Sequence, residues 1–244
     1  MIVRDRGDSW QVVLQIDHED LSGAFARAWA DKAPRHDSVA IAAARHDDGW
    51  AVWERSPVVA DDGTPVNFLD VDVRSHLAFY RACIAAVDEQ DPYAGLLVSM
   101  HGAGIYRQRY GRDTALGLSR AAEEQELVDA FVAEQERAYD ERVASIGVAE
   151  DDRWRDYELL QLYDRLSLYF CMRDCENGGA EPAELQGYTL ELVAPWRVRI
   201  DPFPFGESPA RFELVRHVLP KHGHAEVLET PAERVAVALE RRGD

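Results

Sequence analysis

The stretch "VAIAAARHDDGW", Val39 to Trp50, decides how this chain is read. An apolar run passes directly into Arg45, His46, Asp47 and Asp48, and Gly49 follows. The run is apolar on nearly every side, so a helix built from it belongs in a core. The charged residues at its end admit two readings. They are an ordinary polar terminus, or they are metal ligands at the mouth of that core. The helix is expected to start from a cap at Asp37 or Ser38 and to break at Gly49, with Trp50 and Trp53 beyond the break.

Outward from this stretch the helical texture continues. "DHEDLSGAFARAWADKA" (17–33) carries an apolar stripe of Leu21, Phe25, Ala28 and Trp29, with Asp17 as cap. Further helices are expected from Ser75 through "HLAFYRACIAAVDEQ", and from "DPYAGLLVSMHGAG" with Asp91 as cap and Pro92 in the first turn. "LSRAAEEQELVDAFVAEQERAYDERVASIG" and "DRWRDYELLQLYDRLSLYFCMRDC" complete the set, stopped by "ENGG". At either end the texture is different. "MIVR" and "SWQVVLQI" flank the turn residues "DRGD" and read as a hairpin. "GYTLELVAP", "WRVRIDPF" and "ARFELVRHVLP" read as strands, and "TPAERVAVALERRG" as a short terminal helix. The expectation is one domain over residues 1–244: a hairpin at 1–16, a helical core at 17–178 and a β-rich extension at 179–244. The fold class is mainly α, a helical bundle with a small sheet made by the N-terminal hairpin and the C-terminal strands.

The 244 residues, 46% of them hydrophobic, suffice for one sizeable core. A net charge of −18 argues against nucleic-acid binding by a basic surface. No run approaches the roughly 20 apolar residues of a membrane span. Charges in "MIVRDRGDSW" stand where a signal peptide needs an apolar segment. The expected protein is soluble and cytoplasmic. Cys83, Cys171 and Cys175 are odd in number and read as reduced and structural.

The candidate ligands, in order, are His18, His46, Asp47, His76, His101 and Asp164. His46 and Asp47 share one predicted helix and every other candidate comes from a separate one. Facing helices of a bundle can bring such positions together. Imidazole with carboxylate suits iron, manganese or zinc, as one ion or two, better than calcium. Asp164 lies in "LLQLYDRLSLYF", apolar almost all round, where a carboxylate is costly unless ligated or paired with a buried arginine. Gln161 and Ser167, one turn away, are placed to orient it or to touch substrate. Gln15, three residues before His18, is either a group that steadies a ligand or an ordinary loop amide. His101 reads as a ligand for a second ion or as a substrate contact, and Gly102 and Gly104 leave room for a close approach. His76 is a ligand or a helix-start residue. Arg107 and Arg109 are candidates to hold an anionic oxygen, or are surface charges. Trp50 packs the core or walls a pocket. Asp48 is a third acid of the site or is solvated. The "HGH" at His222 to His224 has metal-binding composition, whereas His36 is expected at the surface.

The segments "QIDHEDLSG", "RHDDGWAVWE", "DPYAGLLVSMHG", "LLQLYDRLSLYFC" and "DPFPF" resemble an uncharacterised family, domain of unknown function 3891. The ordered set of a His, the His46-Asp47 pair, further His residues and a late Asp is similar to the HD-domain metal-dependent phosphohydrolases. That likeness implies an HD-like bundle in which His18, His46, Asp47 and Asp164 hold one ion, with His76 and His101 completing a second position. The implied activity is hydrolysis of a phosphoester small molecule or nucleotide, with Asp48 or Asp47 orienting the attacking water. Two alternatives stand beside it: HD-type di-iron oxygen chemistry, and a non-catalytic protein that binds a small ligand or partner.

The cations are almost all arginine, since only Lys32 and Lys221 are lysines. Acidic surplus with scarce lysine suits work at high salt. There the Debye length falls to about 3 Å and carboxylate repulsion is screened. The melting temperature is therefore expected to rise from dilute buffer to molar potassium chloride. A maximum in dilute buffer would contradict this.

Overall fold

The computed structural model describes residues 1–56, 58–111, 122–221 and 227–243. The chain starts with a hairpin, β1 (Ile2–Asp5) and β2 (Ser9–Val13). Helices α1 (Gln15–Ala28) and α2 (His36–Arg45) follow, and then a 3₁₀ turn at Asp48–Trp50 and the single turn α3 (Ala51–Glu54). The long helices are α4 (Val73–Gln90), α5 (Pro92–Tyr106), α6 (Ala122–Ile146) and α7 (Glu150–Met172). The strands β3 (Ala183–Leu185), β4 (Tyr188–Ala194), β5 (Arg197–Asp201), β6 (Ala210–Pro220) and β7 (Glu233–Glu240) close the chain.

The sheet corrects the expected fold class. It has seven strands in the order β1-β2-β6-β7-β5-β4-β3, so the chain is not a mainly α bundle with a small sheet. Neighbours are antiparallel except β5 and β7, which run parallel and make the sheet mixed. β2 pairs with β6 from Ser9↔Pro220 to Val12↔His217, which ties the two ends of the fold together. Residues 233–240, expected as a helix, form β7 between β6 and β5. "ERVAVALE" is rich in helix formers, but Val235, Val237 and Leu239 also alternate. Pairing on both edges overrides the weak local preference.

One continuous core joins helices to sheet. Phe25 of α1 packs against Phe212 of β6 at 4.7 Å between ring centres, and Trp29 packs edge-on to Tyr163, Tyr188 and Phe205. α5 is buried along nearly its whole length, since "GLLVSMHGAG" offers no polar face. Asp91 caps it by accepting from the Tyr93 and Ala94 amides at 2.8 and 3.0 Å, with Pro92 in the first turn. No helix among the described residues is long and apolar enough to cross a membrane.

Two departures from the expected boundaries place the site. α1 starts at Gln15, not Asp17, because the Glu54 carboxylate accepts from the Gln15 amide at 2.9 Å and replaces a local cap. α2 ends at Arg45, so the break falls at His46 and Asp47, before Gly49. Glu19 accepts from the Asp47 amide at 2.6 Å and fixes that break. Gly49 serves another end: a Cβ there would lie 2.0 Å from the Phe79 carbonyl oxygen, so α4 approaches only a glycine this closely.

Candidate metal centre

Each side chain reaches the centre for a local reason. Gln15 and His18 are three apart on α1 and share a face; Gln161, Asp164 and Ser167 do the same on α7. His46 and Asp47 arrive where α2 stops, and His101 from the buried length of α5. Asp164 Oδ1 lies 3.3 Å from His18 Nε2 and 3.8 Å from His46 Nε2. Asp47 Oδ2 lies 3.9 and 3.7 Å from the same two nitrogens. The two Nε2 atoms are 3.3 Å apart.

The protons on these rings follow from their partners. His46 Nδ1 donates to the Ala43 carbonyl at 3.0 Å, and a carbonyl only accepts. Ser167 Oγ gives its one proton to the Asp164 carbonyl at 2.8 Å, so His18 Nδ1 donates to Oγ at 2.6 Å. Both neutral rings therefore turn a bare Nε2 toward the other and toward two carboxylates. Lone pairs so placed repel unless a cation or a proton lies among them. Metal–ligand bonds of about 2.0–2.1 Å imply ligand-to-ligand edges of about 3.0–3.4 Å, and the spacings here start within that range and run wider, from 3.3 to 3.9 Å. Two overlapping groups have ligand atoms within 4.8 Å of one another: His18, His46, Asp47, and His46, His101, Asp164.

Around these groups lies a supporting layer. Asp47 accepts from Gln15 Nε2 at 3.1 Å and from the Tyr80 hydroxyl at 3.3 Å. Arg109 pairs with Asp164 Oδ2 at 3.1 Å and donates to Gln161 Oε1. An arginine only donates, so it orients the Gln161 amide nitrogen toward His101 Nδ1, 3.1 Å away. His101 Nδ1 accepts, and this neutral ring carries its proton on Nε2. Burial, helped by neighbouring His46, pushes the His101 pKa well below its ordinary value and keeps the ring neutral. Burial alone would raise the Asp164 pKa; Arg109 and then His18 and His46 outweigh it and hold the carboxyl well below the usual range. Burial alone would lower His46, but Asp47 and Asp164 win and push it up to about 9.

Arg109 reaches this position at a conformational cost. Gln108, Arg109 and Tyr110 have φ of 49°, 48° and 55°. Left-handed conformation costs a non-glycine residue about 1–2 kcal/mol. The buried ion pair with Asp164 and the packing of Tyr110 on Trp154 and Tyr157 offset it.

The other expected site residues lie as follows. Asp48 is held by Arg45, with Nε to Oδ2 at 2.6 Å, and does not line the cavity above the centre. His76 lines that cavity, hydrogen-bonds Tyr106 through Nδ1, and packs edge-on to Trp50 and Tyr80. Trp50 is buried among Trp53, His76 and Phe79 and does not reach the cavity. Arg107 is exposed beside Glu136. Gln161 and Ser167 orient His101 and His18 instead of facing the cavity. Gly102 and Gly104 admit the rings of Tyr80 and Tyr157, not a ligand. His36 starts α2 and is buried, not at the surface as expected, His217 Nδ1 on β6 donates to the Thr230 carbonyl at 2.9 Å, and His222 and His224 lie outside the described residues. Three contributors went unforeseen. Tyr80 stands four residues after His76 on one helix face, a spacing that could have flagged it. Glu19 and Glu54 act through tertiary contacts to Asp47 and Gln15 that leave no local pattern.

A family model described as "Protein of unknown function (DUF3891)" matches residues 1–221. The chain belongs to this family. No curated protein and no solved structure matches. The HD likeness of this DUF3891 protein gains no support from these comparisons and rests on its ordered His and Asp residues alone.

A metal ion held at His46 Nε2 would have to displace the proton that His46 otherwise holds. Divalent-ion affinity is therefore expected to rise about tenfold per pH unit below about 9 and to level off there. In metal-free protein the sign is opposite. A raised folded pKa gives stability that is full below about 6.5 and lost as pH rises through about 9. Calorimetric metal titration and melts of chelator-treated protein across this range check both; pH-independent affinity would contradict them.

Proposed function

We propose that this protein is a metal-dependent hydrolase acting on a phosphoester. The observation that carries the reading is the pair of bare imidazole nitrogens facing two carboxylates, with His18, Asp47 and Asp164 of that set lining a cavity of about 780 Å³. That volume is typical of a small-molecule site. His18, His46, Asp47 and Asp164 would hold a divalent transition ion: iron, manganese or zinc. Such an ion supplies Lewis acidity and lowers the pKa of water it binds.

The chain's own groups do the rest. Gln15, Tyr80 and Glu19 hold Asp47, through its two oxygens and its amide, in one orientation. Ser167 keeps His18 in the ligand tautomer. Arg109 sets the Asp164 carboxylate and, through Gln161, makes His101 a hydrogen-bond donor suited to an anionic oxygen. Gln15 Oε1 and Arg109 Nε are buried without a partner among the described residues, and both side chains line the cavity. An acceptor and a donor left open there suit a water and a ligand oxygen.

A second reading, di-iron oxygen chemistry, draws on the second group of ligands, His46, His101 and Asp164. It requires the His101 tautomer to reverse. Elemental analysis with assays on p-nitrophenyl phosphate separates the readings. The hydrolase reading expects one bound ion per chain and metal-dependent phosphate release. His46→Ala should cut kcat/KM by more than a hundredfold in a folded protein, and Ser167→Ala should weaken metal binding about 10–100-fold. Two irons with oxygen consumption and no phosphate release would favour the second reading. A folded chain indifferent to metal would reject both.

A further inference from the structure

We infer that the cavity takes a phosphoester whose organic part is an apolar body and not a sugar or nucleoside. The inference rests on the hydrolase reading for the head group and on separate observations for the rest of the molecule. The cavity is not confined to the metal-binding floor. It follows one face of α7, lined in turn by Asp164, Arg165, Leu168, Tyr169, Met172 and Arg173. From residue 164 to residue 172 a helix rises about 12 Å at about 1.5 Å per residue. The rest of its apolar lining is Phe68 and Leu69 from the turn before α4, Ile105 from α5, and Ala183 and Leu185 from β3. Leu69 and Met172 are each 44% exposed at the mouth, two of the few large apolar side chains left in water among the described residues.

The polar groups are segregated. Gln15, His18, Asp47, His76, Tyr80, His101, Arg109 and Asp164 account for the floor. Beyond it the lining holds no Ser, Thr, Asn or Gln, and its polar side chains are Arg165, Tyr169 and Arg173. Arg173 is already engaged, donating to the Glu181 carbonyl at 3.2 Å and lying over the Tyr169 ring. A sugar or base entering this passage would lose water from several hydroxyl or ring-edge groups and find few replacements, which is costly. An alkyl or aryl body would lose nothing comparable, and would cover Leu69 and Met172 as it seats. The site so drawn matches an amphiphile with its anionic end at the ion and its apolar length along α7.

The test is calorimetric binding to the full, manganese-loaded chain. The probes are inorganic phosphate, ethyl, butyl, hexyl and octyl phosphate below aggregation, adenosine monophosphate, glucose phosphate and octanol. The inference expects affinity to rise by up to about fourfold per methylene, with octyl phosphate bound more tightly than either polar ester. Leu69→Asp and Met172→Asp, surface changes checked by an unchanged melt, should each reduce the octyl-to-ethyl preference several-fold. A flat series, or tighter binding of the nucleotide or sugar ester, would overturn the inference and leave the phosphoester reading intact. Octanol binding with no phosphate bound at all would overturn the phosphoester reading and leave the apolar body standing. Failure of every probe would overturn both.

Discussion

The site depends on one electrostatic constraint: two imidazoles whose protons are spent elsewhere. His46 is committed to a backbone carbonyl and His18 to Ser167, so each turns a lone pair inward. Asp164 Oδ1 and Asp47 Oδ2 each lie within 3.9 Å of both Nε2 atoms. In a buried place this surplus of acceptors is unfavourable on its own. Arg109 compensates Asp164 from behind, at its other oxygen, and leaves the side facing the imidazoles uncompensated. A cation there satisfies what the protein leaves open. Without one, a proton takes the place, which is why His46 is driven upward in the metal-free chain.

The fold follows from the need to hold that arrangement. α1, the end of α2, α5 and α7 each supply part of it, and none supplies enough alone. The mixed sheet packs against the helices, with Phe25 of α1 and Trp29 just after it seated on strand and loop aromatics. Glu19 and Glu54 tie α1 to the broken segment after α2, so the position of His18 and that of Asp47 are set together. The left-handed run at 108–110 delivers a buried guanidinium to Asp164 from a loop. Strain of this sort persists only where surrounding contacts enforce it.

Much of the centre was legible before any coordinates. Apolar periodicity located the long helices, and Asp91-Pro92 marked the start of α5. A carboxylate in an apolar helix signalled that Asp164 had a partner, and the buried arginine of the two readings is there, Arg109 at one oxygen, with the imidazoles near the other. The sheet was underestimated because residues 233–240 are good helix formers and become a strand only by pairing on two sides. Asp48 was attractive because it adjoins the pair, yet one residue along a tight turn faces another way, toward Arg45. The roles of Gln161 and Ser167 turn on which atom each proton occupies, and that requires all the partners to be in place. The apolar wall had no signature, since Phe68, Leu185 and Met172 meet only in three dimensions.

The most direct test of the central claim is X-ray absorption at the metal edge of protein prepared without chelators or a metal-affinity tag. The expected result is a divalent transition ion in a shell of nitrogen and oxygen at about 2.0–2.2 Å with imidazole scattering, lost on replacing His18 or His46. A folded, metal-free protein that refuses added manganese, iron and zinc, with a proton shared between His18 and His46 by nitrogen NMR, would contradict it.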